Sequence, residues 1–151
     1  MISEATKSEG GTGHHLQKLE EAKEGNGSQA FVLEVNNSSE KGYIFGRNLG
    51  SKRKRNALDS EIFSVFVPEP LRRCGFATQL LQTYEYNVKE KAKNAGLSMV
   101  RICVDVKWCM AKAADFWKKN GYEKGLVDKS SSNQIMVKEF VFENGKWGVK
   151  K

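Results

Sequence analysis

The stretch Ser60–Leu81, SEIFSVFVPEPLRRCGFATQLL, limits the folds open to this chain more than any other. It holds both prolines of the 151 residues, Pro68 and Pro70, directly after the apolar run EIFSVFV. Proline lacks a backbone donor and is kept out of the interior of strands and helices. The strand must therefore end at Val67. An arginine pair, Arg72 and Arg73, follows, and Gly75 and Ala77 then open an apolar pattern of helical period. The chain is committed here to strand, corner and helix. A helix start leaves backbone N–H groups without partners and carries a partial positive charge. A glycine before it lets an anion approach the backbone closely. The spacing Arg72-x-x-Gly75-x-Ala77 reads as a pyrophosphate cradle or as an ordinary β–α turn with two solvated arginines. It is neither the GxxxxGK[ST] phosphate loop nor the GxGxxG dinucleotide fingerprint. The prolines also release the strand end from its neighbour, which exposes N–H groups to a ligand, although strand termination alone would account for them.

The segments on either side complete an order β-β-β-α-β-α-β-β. Residues 1–28 are rich in Gly, Ser, Glu and Lys and read as a flexible tail, within which LQKLEEAKE (Leu16–Glu24) has a thin helical stripe. From Gln29, AFVLEV is a strand, NNSSEKG a loop, and GYIFGR (Gly42–Arg47) the return strand of a hairpin. NLGSKRKRNALD is a basic loop before the third strand, Glu61–Val67. The long helix carries Phe76, Leu80, Tyr84, Val88, Ala92 and Ala95 on one side and stops at Asn94 and Gly96. LSMVRICVDV is a β-branched strand, and MAKAADFWKKNG a shorter helix with Ala113, Phe116 and Trp117 inward and Gly121 as its stop. YEKGLVDK and NQIMVKEFVFE are two more strands around SSSN, and Asn144-Gly145 turns KWGV back as a hairpin arm. The central β-α-β requires a right-handed crossover and a parallel pair. The fold class is α+β: one mixed sheet flanked by helices, in a single domain over residues 29–151.

Composition narrows the partners. Net charge is +7 and the pI about 9.3, which favours an anionic partner: nucleic acid, a membrane surface or a polyanionic cofactor. No apolar run approaches the roughly 20 residues that span a bilayer, and no apolar leader opens the chain, so neither membrane insertion nor secretion is expected. Cys74, Cys103 and Cys109 are too few and scattered for a disulfide framework, no CxxC pair implies a metal, and a cytoplasmic or nuclear location fits. Lys52-Arg53-Lys54-Arg55 reads as a localisation signal, a nucleic-acid patch or a solvated loop. His14 and His15 lie in the tail and receive no role.

Strand–R-x-x-G-x-A–helix, followed by a strand and then A-x-x-F-W-K-K-N-G-Y (Ala113–Tyr122), resembles the GNAT superfamily of acetyl-CoA-dependent N-acetyltransferases. That family carries [Q/R]-x-x-G-x-[G/A] after its fourth strand and A-x-x-[FL]-[YF]-x-K-x-G-[FY] on the next helix. The resemblance covers roughly residues 29–142. Glu61-Ile62, eleven residues before Arg72, is similar to the glutamate–isoleucine pair of the general-control-type histone lysine acetyltransferases.

The resemblance implies a GNAT-like fold, acetyl-CoA as cofactor without a metal, and direct transfer of acetyl to a primary amine, a protein lysine or histone foremost. Lysine is an ammonium ion at neutral pH, so transfer needs a base. By the matching, Glu61 is that base, with Asp105 on the next strand its rival; a carboxylate at the start of an apolar strand is partly desolvated and accepts a proton more readily. The Val65 backbone N–H would hold the developing oxyanion. Val65, Phe66 and Val67 would line the pantetheine arm. Arg72, Arg73, Cys74, Gly75, Phe76, Ala77 and Thr78 would surround the pyrophosphate. Phe116, Trp117 and Lys119 would reach the cofactor from the second helix. Two positions depart from the family pattern: Trp117 replaces a tyrosine thought to protonate the departing thiolate, and Met110 replaces an asparagine. The first helices of most relatives have no clear counterpart before Gln29. A catalytically weak or silent module that binds CoA or a protein partner, and a basic nucleic-acid-binding module, are the alternatives.

Overall fold

The computed structural model describes residues 2–4, 28–34, 41–52, 56–72, 74–105, 113–125 and 135–150. The possible helix Leu16–Glu24, Val35, Arg53–Arg55 of the basic tetrad, Arg73, Trp108, Cys109, Met110, the SSSN loop and both histidines lie outside these residues.

Within them the chain runs β1 (Ile2–Glu4), β2 (Ser28–Glu34), β3 (Lys41–Lys52), β4 (Ala57–Phe66), a 3-10 turn (Glu69–Leu71), α1 (Phe76–Asn94), β5 (Met99–Asp105), α2 (Ala113–Lys119), β6 (Glu123–Lys124), β7 (Ile135–Glu143) and β8 (Lys146–Val149). All strands join one sheet in the order β1-β2-β3-β4-β5-β7-β6, with β8 also on β7. β4 and β5 are parallel and the other pairs are antiparallel, as a β-α-β unit between hairpins requires.

Three expectations need correction. Ile2–Glu4 pairs with β2 as an edge strand, so the tail reading does not hold there: the outer edge of β2 offers backbone partners that no pattern in three residues announces. The basic loop is shorter than its composition implied, because β3 continues to Lys52 and β4 already begins at Ala57. Cross-strand hydrogen bonding carries polar residues in β3 that have weak strand propensity of their own. Among the described residues of YEKGLVDK, Glu123 and Lys124 join the sheet, and residues 126–129 of that expected strand lie outside the described residues.

The core follows from alternation. Leu58, Ile62, Val100, Ile102, Val104, Met136 and Phe140 rise from one face of the sheet. Leu80, Leu81, Tyr84, Val88 and Ala92 of α1 close over them. Each such aliphatic side chain, fully buried, contributes roughly 1.5–3 kcal/mol. Ala95, expected on this stripe, is instead the exposed residue that ends α1. Gly96, at φ +76°, closes the helix: its N–H donates to the Lys93 carbonyl and the Leu97 N–H to that of Ala92, at 3.0 and 2.8 Å. Gly121 ends α2 in the same way, and Asn144-Gly145 turns β7 into β8, both with positive φ. A smaller cluster of Ala30, Val32, Tyr43 and Phe45, joined by Phe63 and Phe66, occupies the opposite face of the sheet.

Candidate active site

β4 and β5 keep register from Ala57↔Met99 to Ile62↔Val104. Beyond Ile62, β4 continues to Phe66 beside β3 alone, the last pair being Tyr43↔Phe66. Among the described residues no strand takes up the freed edge. In an antiparallel pair alternate residues turn N–H and C=O away from the partner, so past Ile62 the edge of β4 that faced β5 turns backbone groups around Ser64 and Val65 away from β3. Pro68 and Pro70 follow at once and close the corner through the 3-10 turn.

A bulge lies at the point of divergence. Phe45 pairs with Ser64 but Gly46 with Ile62, which makes Phe63 the extra residue of β4. A bulge bends its strand and raises the local twist. It depends on Gly46: a Cβ there would collide with the Glu61 carbonyl and the Tyr84 hydroxyl. Behind it is a polar network in the core. The Ser60 Oγ lies 2.7 Å from Tyr84 Oη and 2.8 Å from Asn48 Oδ1. Tyr84 Oη also donates to the Glu61 carbonyl at 3.3 Å. Gln29 Nε2 donates to the Tyr84 carbonyl at 2.9 Å, and Asn48 Nδ2 to Gln29 Oε1 at 3.5 Å. Burial, above all, pushes the Tyr84 phenol far above its ordinary range, so it stays a neutral donor.

Glu61 rises from the face opposite α1, half-buried, between Arg47 across β3 and Cys103 across β5. Cys103 is a free thiol pushed up to about 11, first by burial and then by the charge of Glu61. A thiol so shifted is an inert neighbour. Asp105 stands two residues further along the same face of β5, past the last β4 pair.

The corner completes the site. Gly75 adopts φ +79°, ψ 8°, and is the N-cap of α1. No side chain caps this end and no acidic residue lies in its first turn, so the first N–H groups of a 19-residue helix have no partner in the described structure. Cys74 and Gly75 are exposed, Phe76, Ala77 and Thr78 half-buried. This donor set suits a phosphate group. Arg72 is exposed, and its Nε donates to the Val67 carbonyl at 2.9 Å, which ties the corner to the strand and leaves the η nitrogens for another acceptor. Val67, expected along the pantetheine arm, thus has its carbonyl engaged within the chain.

The second helix differs from expectation. Trp117 is 0% exposed, edge-on to Phe116 and Tyr122 at centroid distances of 5.1 and 4.9 Å. It is a core side chain without surface for a cofactor, since a large indole at the inward position of a short helix gains most from burial. Phe116 packs partly against the same core, and Lys119 is exposed at the helix end. The sequence reading missed Arg47, Gly46 and the Gln29–Asn48–Ser60–Tyr84 network. The one available signal was Tyr84, a phenol within an otherwise apolar stripe, whose hydroxyl requires a buried partner. Among the described residues no group of three His, Cys, Asp or Glu could hold a metal, and no helix is long and apolar enough to cross a membrane.

Comparison with known proteins agrees with this geometry. The family model described as acetyltransferase (GNAT) family matches residues 6–122. The chain is similar in structure to Ard1 from Thermoplasma volcanium, at 18% identity and TM-score 0.59, covering 100% of this chain and 97% of that one. It is similar to the ribosomal-protein-S18-alanine N-acetyltransferase from Escherichia coli, at 12% identity and TM-score 0.52, covering 92% and 91%. Tetrahymena GCN5 matches at 14% identity and TM-score 0.50, covering 81% and 72%. No curated protein matches the chain significantly.

Proposed function

We propose, on the premise that the chain belongs to the GNAT family of acetyltransferases, that it transfers an acetyl group from acetyl-CoA to a primary amine, a protein lysine foremost. The observation that carries this reading is the parting of β4 from β5 immediately beside Glu61, with an uncapped helix N-terminus one corner away. Acetyl-CoA, when bound, supplies an activated acetyl thioester. The free N–H groups of α1 after Gly75, with Arg72, Cys74 and Thr78 around them, would hold its phosphates, and the sequence offers Arg73 beside them. The edge of β4 that β5 leaves, at Val65 and Phe66, would hold its extended arm as an added strand does, with Val67, whose carbonyl is taken by Arg72, flanking it. A Val65 N–H turned to that edge would donate to the carbonyl oxygen as charge develops there. Glu61 would take the proton that the ammonium must lose, directly or through a water. Its main chain is fixed by Tyr84 and its side chain is half-open to solvent, which allows proton exchange. Asp105, beyond the last β4 pair, is the second candidate. The free thiols Cys74 and Cys103 support a cytoplasmic or nuclear location.

The burial of Trp117 favours one further reading, a CoA-binding module with little turnover, because an indole N–H cannot supply the proton a tyrosine would. A thiol of ordinary pKa near ~8.5 is nevertheless a tolerable leaving group without strong acid assistance. One experiment separates the two. Histones, peptides and polyamines are incubated with acetyl-CoA and the protein, and products are read by mass spectrometry. Acetylated amine supports the enzyme. Saturable acetyl-CoA binding without any product supports the module.

A further inference from the structure

We infer that the acceptor is an amine with a negative charge beside it, in a protein a lysine flanked by Asp or Glu, and that Arg47 receives that charge. The inference rests on the reading of Glu61 as the proton acceptor and names the substrate class of the same site.

Arg47 and Glu61 are direct partners in the β3–β4 ladder, so both side chains leave the same face. Their Cβ atoms are therefore about 5 Å apart. Arg47 is exposed. Its guanidinium lies 5.9 Å from the centroid of Phe63, the extra residue of the bulge. Stacking on a ring limits where the guanidinium points without neutralising it. The ion pairs among the described residues join Lys41 to Glu34, Lys138 to Glu85 and Lys150 to Glu139; none takes Arg47. Arg101, on the same face, is in register between Asp59 on β4 and Glu139 on β7 and so has a carboxylate on either side. Among the described residues Arg47, with Glu61 as its one carboxylate neighbour in the ladder, is thus an exposed cation beside Glu61 that no ion pair engages.

The consequence for selection is a matter of sign. An ammonium flanked by further cations meets Arg47 as a like charge at the point where it must approach Glu61. An ammonium flanked by a carboxylate brings Arg47 a planar anion that it binds in a fork. Repulsion of the wrong partner and attraction of the right one then act together. The net charge of +7 adds the same preference at longer range.

The test uses three blocked peptides, each with a single lysine, flanked by Asp and Glu, by Gly and Ser, or by Arg. Initial rates with acetyl-CoA are read by mass spectrometry, and binding of fluorescent copies to the CoA-saturated protein is read by anisotropy. The acidic peptide should exceed the arginine peptide by roughly tenfold or more in kcat/KM, the size of one charge-assisted contact. The ratio should collapse toward one in Arg47→Gln, reverse in Arg47→Glu, and be partly kept in Arg47→Lys. Equal use of the three peptides, preference for the arginine peptide, or an unchanged ratio in Arg47→Gln would overturn the inference. Anisotropy separates it from the acetyltransferase reading. Acidic-peptide binding that depends on Arg47, with no product formed, keeps Arg47 as the contact for an acid-flanked amine and removes the enzyme. Product formed with no dependence on Arg47 keeps the enzyme and removes the inference.

Discussion

At the scale of residues, the site depends on contacts that hold the main chain of Glu61 more than on its carboxylate alone. Tyr84 spans from α1 to β4 and places one hydroxyl against both Ser60 and the Glu61 carbonyl. Tyr84→Phe keeps the ring and removes that donor, which leaves buried partners unsatisfied at a cost of roughly 1–3 kcal/mol. The urea midpoint should fall accordingly, and acetyl transfer should fall while the affinity for acetyl-CoA, whose phosphates are proposed to bind at the start of α1, is retained. Gly46→Ala acts at the same point through sterics. Its methyl group has backbone on one side and a core phenol on the other, so neither neighbour can yield cheaply. A loss of about 1–3 kcal/mol in urea unfolding is the expected outcome. Glu61→Gln is the complementary change: isosteric and half-exposed, it should leave stability and acetyl-CoA binding intact and lower transfer by about 10²–10⁴-fold. Full activity in that variant would move the role to Asp105.

At the scale of elements, the corner joins a strand that loses its partner to a helix whose first turn is uncapped. Gly75 makes this junction possible, because a left-handed residue turns the chain into α1 without a side chain over the open N–H groups. A Cβ at Gly75 would meet no atom within 4 Å, so the cost of Gly75→Ala is conformational and not steric. Left-handed φ costs an L-residue roughly 1–2 kcal/mol. Calorimetry should show acetyl-CoA affinity reduced about tenfold in that variant, which is 1.4 kcal/mol of relaxed corner. Circular dichroism should show α1 retained, since Leu80, Leu81, Tyr84, Val88 and Ala92 hold it from the other side. Unchanged affinity would remove the helix start from the binding site. Most of this level was legible beforehand. The two stop glycines, the Asn-Gly hairpin and the strand–corner–helix order depend on local backbone preferences, and those are written in single residues. Pairing was not legible where it decided the strand. Ile2–Glu4 is a strand because β2 offers it an edge, and β3 extends to Lys52 because β4 lies beside it.

At the scale of the whole molecule, a buried carboxylate ties the two helices to the sheet. Glu85 of α1 accepts from the Tyr122 hydroxyl at 2.8 Å and lies 3.4 Å from Lys138 Nζ of β7. Lys138 Nζ also donates to the Asn120 carbonyl behind α2, at 2.8 Å. Burial raises the Glu85 carboxyl above its ordinary 4.5, and Lys138 and the Tyr122 hydroxyl offset this only in part. A carboxyl raised by folding binds its proton more tightly in the native state. Its contribution to stability is therefore full below the ordinary value and is lost as pH rises through the folded one. Urea midpoints of wild type and Glu85→Gln, measured across this range, should diverge in favour of the variant as pH rises above about 4.5. A constant difference would mean that the carboxyl titrates as it does in the unfolded chain.

The sequence by itself determined the parts that depend on neighbouring residues: the prolines that end β4, the glycine that starts α1, the periodic stripe of that helix, and two linked motifs sufficient for the family. Backbone dihedrals and hydrophobic period act over a few residues, so a short quotation of the chain carries them. Only the tertiary structure decided that Trp117 is core and not cofactor wall, that Tyr84 reaches Glu61 from 23 residues away, and that Arg47 is Glu61's partner across a ladder. Those are contacts between distant segments. They are set by register and by which face a bulge turns outward, and a one-residue slip would reverse every one of them.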